Sequence, residues 1–291
     1  MLDLALPLTQ SLAFERTCVR LGVQVRRISS SQGTCLVQSR KFPVLGAINL
    51  ISRGPVMQAG ADALAILDEA RHTLSGPLIV NATADIKAVG GLRIARGANL
   101  AMLDLQRPDE MRRRLHQKWR NQLNKAERAG LSVRHDALDQ GHHDWFLDAE
   151  AAQQKARSYR SYPTGFLRAF AASNPGAARL YSATLDGQAI AGMLVLQHGR
   201  MATYQAGVTT PEGRRACAHN LLLWTMMCDL HAAGTTCLDL GRSDLSEGLR
   251  RFKTGTGARI EALPGSYLSH PWLRWPGRMA NRRMVPPRTI A

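Results

Sequence analysis

The stretch GRSDLSEGLRRFKTGTGA, residues 241–258, has no aliphatic run of its own and reads as a loop that places groups rather than filling a core. The run TTCLDLG before it, residues 235–241, supplies apolar positions and then a carboxylate at Asp239. It reads as a buried strand that delivers the loop to a cleft. The loop carries arginines and then Phe252-Lys253. Arginine supplies 32 of the chain's 38 basic residues, so a lysine at 253 goes against the composition and points to a compact ammonium.

Working outward, NLLLWTMMCDLHAAG at 220–234 predicts a helix, with Asn220 placed to cap it and Gly234 to end it. Upstream, Asp186-Gly187 and His198-Gly199 read as tight hairpin turns between alternating apolar runs. A helix over about 143–157 leads into the turn-rich, aromatic and basic segment RSYRSYPTGF at 157–166. The span 109–129 predicts one helix. Met111, Leu115, Trp119, Leu123 and Ala126 fall on its apolar arc, and Arg113, Arg114, Lys118, Arg120, Lys125 and Arg128 on its basic arc. Residues 61–73 repeat apolar groups at helical spacing, and 75–83 read as a turn and a strand.

Several of these pieces, in this order, resemble the GNAT-related transferases typified by the Fem family, which join an activated acyl or aminoacyl group to an amine. NLISRGPVMQ at 49–58 is similar to that family's strand and turn around Arg-Gly-Pro-Val, and ANLAMLDL at 98–105 to the strand opening its second half. MRRRLHQKWRNQLNKAERAGLSVR at 111–134 resembles its basic helix, ATLDGQAIAGMLVLQHGRMATYQAGV at 183–208 its central hairpin, and the stretch at 241–258 its final motif. The resemblance implies an α/β (α+β) fold of two tandem GNAT-like domains, each a mixed, mainly antiparallel sheet flanked by helices. The first, residues 1–104, is expected to be degenerate, and the second, 105–262, to be the transferase. A basic tail, 263–291, would pack back on the first domain.

The same resemblance assigns site residues. Lys253 would neutralise developing negative charge or a donor phosphate, and Tyr204 would donate a hydrogen bond or relay a proton. Arg157, Tyr159, Arg160 and Tyr162 stand where the family holds its acceptor, and an arginine fork suits phosphate or carboxylate. Asp239 is expected to fix the strand end or hold Lys253, beside Arg242. The bland alternatives are a solvated Lys253, a Tyr204 that only packs against a helix, and a solvated basic loop at 157–162.

Acyl-CoA users of the GNAT fold hold pyrophosphate in backbone amides of a glycine-rich turn opening the central helix. Here that turn reads TTPEGRRACAHN, with the single glycine Gly213, so Arg214 and Arg215 are the groups left to meet phosphates. The donor therefore stays open between acyl-CoA and aminoacyl-tRNA, with no tightly bound cofactor expected. The partner is an amine-bearing acceptor, a small molecule or a glycan or peptide precursor. Cys217 and His219 lie two residues apart and do not form a facing pair, and the paired His142-His143 lacks further ligands, so neither a nucleophilic thiol nor a metal is expected.

At 291 residues the chain can bury a full core without disulfides or metal, and its five scattered cysteines suit a reducing compartment. With no basic start followed by an apolar run, and no stretch of about 20 apolar residues, the expectation is a soluble cytoplasmic protein. The formal charge of +16 attracts anions, although a GC-rich genome also favours arginine. It leaves tRNA as a partner of the 111–128 arc. An anionic membrane surface is a partner for the tail, where Trp272 and Trp275 lie among Arg274, Arg278, Arg282 and Arg283. The alternative from another class is a non-catalytic RNA- or membrane-binding protein on a degenerate GNAT fold. Oligomeric state is not legible.

Overall fold

The computed structural model describes residues 5–43, 46–58, 61, 63–83, 91–139 and 141–269. The expected tail contacts of Trp272, Arg274, Trp275, Arg278, Arg282 and Arg283 lie outside the described residues. In chain order the elements are α1 (Leu12–Arg20), β1 (Gln24–Ser30), β2 (Gly33–Phe42), β3 (Gly46–Ser52), β4 (Val56–Met57), α2 (Ala63–Thr73), β5 (Leu78–Ala82) and β6 (Leu92–Arg96). There follow β7 (Asn99–Asp104), α3 (Pro108–Arg114), α4 (Gln117–Glu127), β8 (Ser132–Ala137), α5 (Asp144–Arg157), α6 (Thr164–Ser173), β9 (Ala178–Leu185), β10 (Gln188–His198) and β11 (Met201–Thr209). The chain continues through α7 (Pro211–Arg215), α8 (Ala218–Ala232), β12 (Cys237–Arg242), α9 (Glu247–Thr254), β13 (Arg259–Ala262) and β14 (Gly265–Ser269).

The fold is mixed α/β, with two sheets flanked by helices. The sheets run β1-β2-β3-β5-β14-β6, with β4 on β2, and β13-β7-β12-β11-β10-β9-β8. The chain forms two compact units. Of the described residues, one takes 5–8, 12–21 and 99–261, and the other takes 9–11, 262–269 and those within 22–98. The sequence boundary at 104/105 gives residues 12–21 to the first domain, whereas in the structure α1 packs in the unit of β7 to β12. There Asn174 donates to Ala13 O at 3.1 Å and to Thr17 Oγ1 at 3.3 Å, and the Phe14 ring meets that of Phe166 at 5.7 Å.

In this larger unit, Met193 and Val195 of β10 face a core shared with Leu222, Met226 and Met227 of α8 and Trp119 and Leu123 of α4. Alternation sends Gly192 the other way, where a Cβ would stand 2.7 Å from Phe146 of α5. The β9–β10 turn is Asp186-Gly187, both with positive φ. The next turn is Gly199-Arg200, one residue later than expected, because His198 still pairs with Met201. The helix expected over 220–234 begins two residues earlier at Ala218. Cys217 with φ 55° precedes it, and Asn220 is buried inside rather than capping.

The single basic helix is corrected to two. Leu115 is extended with ψ 133°, the His116 amide donates to Gly255 O at 2.9 Å, and the Arg120 guanidinium covers the freed carbonyls of Arg113 and Leu115 at 3.2 and 3.0 Å. The apolar arc is buried throughout, but Arg113 pairs with Asp109 and Arg128 bonds to Asn124 O. The six cations are therefore not one free stripe. The stretch 241–258 also differs from the loop expected of it: residues 247–254 form α9, capped by Ser246 Oγ accepting from Leu249 N–H at 3.2 Å.

In the smaller unit β1, β2 and β3 form an antiparallel meander, and β3 crosses over through α2 to the parallel β5. β14 then inserts between β5 and β6, antiparallel to both. Ile28, Val37, Ile51, Ile66, Leu67, Leu78, Val80 and Tyr267 close a separate core.

Candidate active site

The site is built where β11 and β12 part. These strands are parallel and pair only at Met201↔Cys237, Ala202↔Leu238 and Thr203↔Asp239, although β11 runs on to Thr209 and β12 to Arg242. Each lip of the gap carries a bulge. On β11 Tyr204 opposes Val195 and Ala206 opposes Leu194, so Gln205 is the extra residue; its amide donates to Ser161 Oγ at 2.7 Å. On β12 the register against β7 shifts between Asp239 and Arg242, with Gly241 at φ 73° and its N–H donating to Asp239 Oδ1 at 2.7 Å. Asp239 thus holds the bend of the strand end.

Lys253 is the one fully buried residue of α9 and donates from Nζ to Arg242 O at 2.7 Å. The carbonyl is presented because Arg242 and the residues after it are pinned: Arg242 grips Asp244 at 2.9 and 3.2 Å, and Ser243 bonds to Asn99 O through N–H and Oγ. Burial lowers the Lys253 ammonium to about 8, against the opposing pull of Asp239 and Asp244. It remains mostly charged at neutral pH and is easily discharged above it.

Tyr204 Oη lies where a Cβ on Gly207 would be, 2.1 Å from that position, and His219 Cε1 is 3.4 Å from the same point. Gly207 is thus the residue that leaves room for the phenol. Burial, reinforced by the negative field of Glu150 and by Tyr159, pushes the Tyr204 phenol up, so it stays protonated and can donate. His219 bonds to Val208 O at 2.9 Å, and burial holds its imidazole below the usual range. Its ring lies 6.4 Å from Phe252, whose carbonyl accepts from Trp119 Nε1 at 3.0 Å; this fixes the residue preceding Lys253.

The residues expected to hold an acceptor separate. Arg157 and Arg160 are exposed, while Ser158 ends α5 at φ 52° and turns Tyr159 inward. The Tyr159 hydroxyl donates to both oxygens of Glu150, at 2.8 and 2.9 Å, and its own ionisation is pushed up to about 12, first by burial. Tyr162 stacks on Phe166 at 4.0 Å. Glu150, which the sequence reading omitted, is buried, and burial raises its carboxyl pKa against the hydrogen bonds of Tyr159, Gln154 and Gln153. A signal was present: 146, 147, 150 and 154 share a helical face, and a carboxylate occupies one of its apolar positions.

Of the residues expected to meet donor phosphate, Arg215 pairs with Glu212 at 2.7 Å and Arg214 reaches Thr209 O at 3.3 Å, both exposed. Gly213 is required by packing, since a Cβ there would stand 2.4 Å from Ile190 O. Thr210 Oγ1 caps α7 by accepting from Gly213 N–H at 3.1 Å. Among the described residues there is no group of three or more His, Cys, Asp and Glu side chains that could hold a metal, and no helix long and apolar enough to cross a membrane.

The mixed sheet crossed by α8, whose parallel strands β11 and β12 part after three residue pairs, has the architecture of the GNAT fold. The family description "Acetyltransferase (GNAT) domain" matches residues 112–254, and the sequence matches no curated protein. Among solved structures the chain is similar to FemX, with TM-score 0.75 and 16% identity over 90% of this chain and 92% of that one. It is also similar to the C-terminal domain of a putative lysylphosphatidylglycerol synthetase from Agrobacterium fabrum, with TM-score 0.58 and 15% identity over 94% and 92%. A third likeness is to a tandem GNAT protein from the clavulanic acid biosynthesis pathway, with TM-score 0.52 and 14% identity over 85% and 83%. The chain has a GNAT fold of the FemAB-like kind, in two tandem GNAT-like parts.

Proposed function

We propose that this protein moves an acyl or aminoacyl group from an activated donor onto an amine, forming an amide in the gap between β11 and β12. The observation that carries the reading is the parting of those strands after Thr203 and Asp239, with Tyr204 on one lip and the Lys253-bonded Arg242 carbonyl on the other. Amide formation from a thioester or ester puts negative charge on the carbonyl oxygen and then on the leaving atom. A buried ammonium and a phenol held in its protonated form suit the two demands. Lys253 stabilises the oxyanion, and Tyr204 donates to it or to the leaving group. Tyr159, Tyr162 and the Arg157 and Arg160 cations form the acceptor side; Arg214 and Arg215 meet donor phosphate. Asp239 and Arg242 shape the lip under Lys253.

Both donor classes belong to the proposal. The GNAT domain supports acyl-CoA; likeness to a protein named for lysylphosphatidylglycerol, a lipid bearing a lysyl group, supports an aminoacyl donor. Either donor fits a cytoplasmic protein. The test mixes the full chain in turn with acetyl-CoA, longer acyl-CoAs and charged tRNA in the presence of pooled amines, and follows the products by mass spectrometry. An amine gaining the donor's acyl mass supports the reading. No donor consumed under any condition ends it.

A further inference from the structure

Glu150 lies on the buried face of α5 and is 3% exposed. Its carboxylate receives only neutral donors: the Tyr159 hydroxyl at both oxygens, Gln154 Nε2 at Oε1 (3.3 Å) and Gln153 Nε2 at Oε2 (3.1 Å). Among the described residues no lysine, arginine or histidine forms an ion pair with it, and the field of Arg157, itself exposed, is the weakest of the influences on its ionisation. A buried charge without a counter-ion costs several kcal/mol. A carboxyl perturbed by burial and lining a cavity marks a place where a cationic ligand would be held.

Glu150 lines a cavity of about 280 Å³ whose other walls include Leu147, Ala151, Leu167 and Tyr162. The Tyr162 ring is fixed by its stack on Phe166, and Gln154 is held by Ser161 N–H donating to its Oε1 at 3.1 Å. The cavity therefore joins the Glu150 side chain to an apolar wall of Leu147, Ala151, Pro163 and Leu167, with Gln154 and Thr164 as its other polar lining. It is also tied to the gap: Gln153 Nε2 donates to Gly207 O at 3.1 Å as well as to Glu150, and Gly207 is the residue against which Tyr204 Oη packs.

We propose that this cavity is the acceptor pocket and takes a primary alkylammonium, with Glu150 as its counter-ion and the alkyl chain along Leu147, Ala151 and Leu167. That the bound amine is the one acylated rests on the transferase reading; the binding does not. In the reaction the ammonium gives one proton to the Glu150 carboxylate, and the freed lone pair forms the N–C bond to the donor carbonyl. The donor's C–S or C–O bond breaks, and the leaving sulfur or oxygen takes the second amine proton, giving amide, free thiol or alcohol and protonated Glu150. An anion close to the amine is excluded by like charge, so amines with a carboxylate on the neighbouring carbon are poor acceptors.

The test uses the full chain titrated by calorimetry with n-pentylamine hydrochloride, 1-pentanol and sodium pentanoate, which share a chain and differ in charge. The ammonium is expected to bind at least about tenfold more tightly than the alcohol, with pentanoate weakest, and the isosteric Glu150→Gln is expected to abolish that preference. Equal binding of amine and alcohol to the wild type, a comparison that needs no variant, overturns the proposal, as does an undiminished preference in folded Glu150→Gln. If the preference is found but no acyl donor is consumed, the pocket stands and the transferase reading falls. If donors are consumed in a Lys253-dependent way and no preference exists, the pocket falls and the transferase reading stands.

Discussion

Each sheet contains one parallel seam reached by a helical crossover: β3 with β5 through α2, and β11 with β12 through α8. In the smaller unit the seam is closed. The ladder runs from Asn49↔Leu78 to Ser52↔Asn81, Thr9 Oγ1 and Gln10 Nε2 both donate to Ser52 O at 2.7 Å, and Gly54 N–H reaches Asn81 O at 3.3 Å. In the larger unit three pairs form and the strands then diverge between two bulges. A closed ladder satisfies its own backbone and leaves no polar group for a substrate, whereas an open one holds a gap beside a buried ammonium. The difference explains how one topology can serve as scaffold in one place and, in the function proposed above, as a reaction site in another.

The strongest way to break this comparison is Lys253→Ala, expected to lower kcat by about 10²–10³ with little loss of thermal stability. Unchanged turnover in a folded variant removes Lys253 from the gap. Next in size is pH. Lys253 titrates near 8 when folded and near 10.5 unfolded, so between those values the unfolded chain holds more protons and stability rises with pH. Relative to Lys253→Met, the wild type should gain on the order of 3 kcal/mol from pH 8 to 10.5 in denaturant titrations, while its kcat falls as the ammonium discharges. A wild type and variant with parallel pH profiles would show that the lysine is not desolvated.

The closed seam should answer in the opposite currency. Asn49 is buried, its Nδ2 donates to Ser75 O at 2.8 Å and its Oδ1 accepts from Ser39 Oγ at 2.7 Å, so Asn49→Ala should cost about 1–3 kcal/mol in urea unfolding and leave kcat alone. A kcat loss without destabilisation would mean that this seam takes part in the chemistry. The smallest effect is expected at Gly207→Ala, where the new methyl would collide with Tyr204 Oη and displace the phenol. Turnover should drop about tenfold, and an unaffected rate would show that the position of Tyr204 is not critical.

Legibility in the sequence followed periodicity. Met111, Leu115, Trp119, Leu123 and Ala126 are all buried as their spacing predicts, and the strands at 183–208 fall as alternation places them. What stayed hidden was set by tertiary contacts. The break at Leu115 depends on Arg120 reaching back to two carbonyls, and α9 is only eight residues long with Gly248 inside it. The bulges at Gln205 and Gly241 leave no mark on composition, yet they open the gap. Glu150 left one trace, a carboxylate on the helical face it shares with Phe146 and Leu147, but its bond to Tyr159 depends on the turn at Ser158 and has no counterpart in the spacing.

The interleaving of the units has a consequence for synthesis on the ribosome. β6 has β14 as its partner strand, and β5 has β14 along one edge, but residues 265–269 emerge after the whole of the larger unit. Through most of translation the nascent smaller sheet therefore presents β5 and β6 as bare edges able to pair with other chains. α1, made before either sheet, waits for Asn174 and Phe166 to be translated. The protein cannot mature one half at a time, and a nascent chain stalled before Gly265 would be a client for chaperones rather than a finished fold.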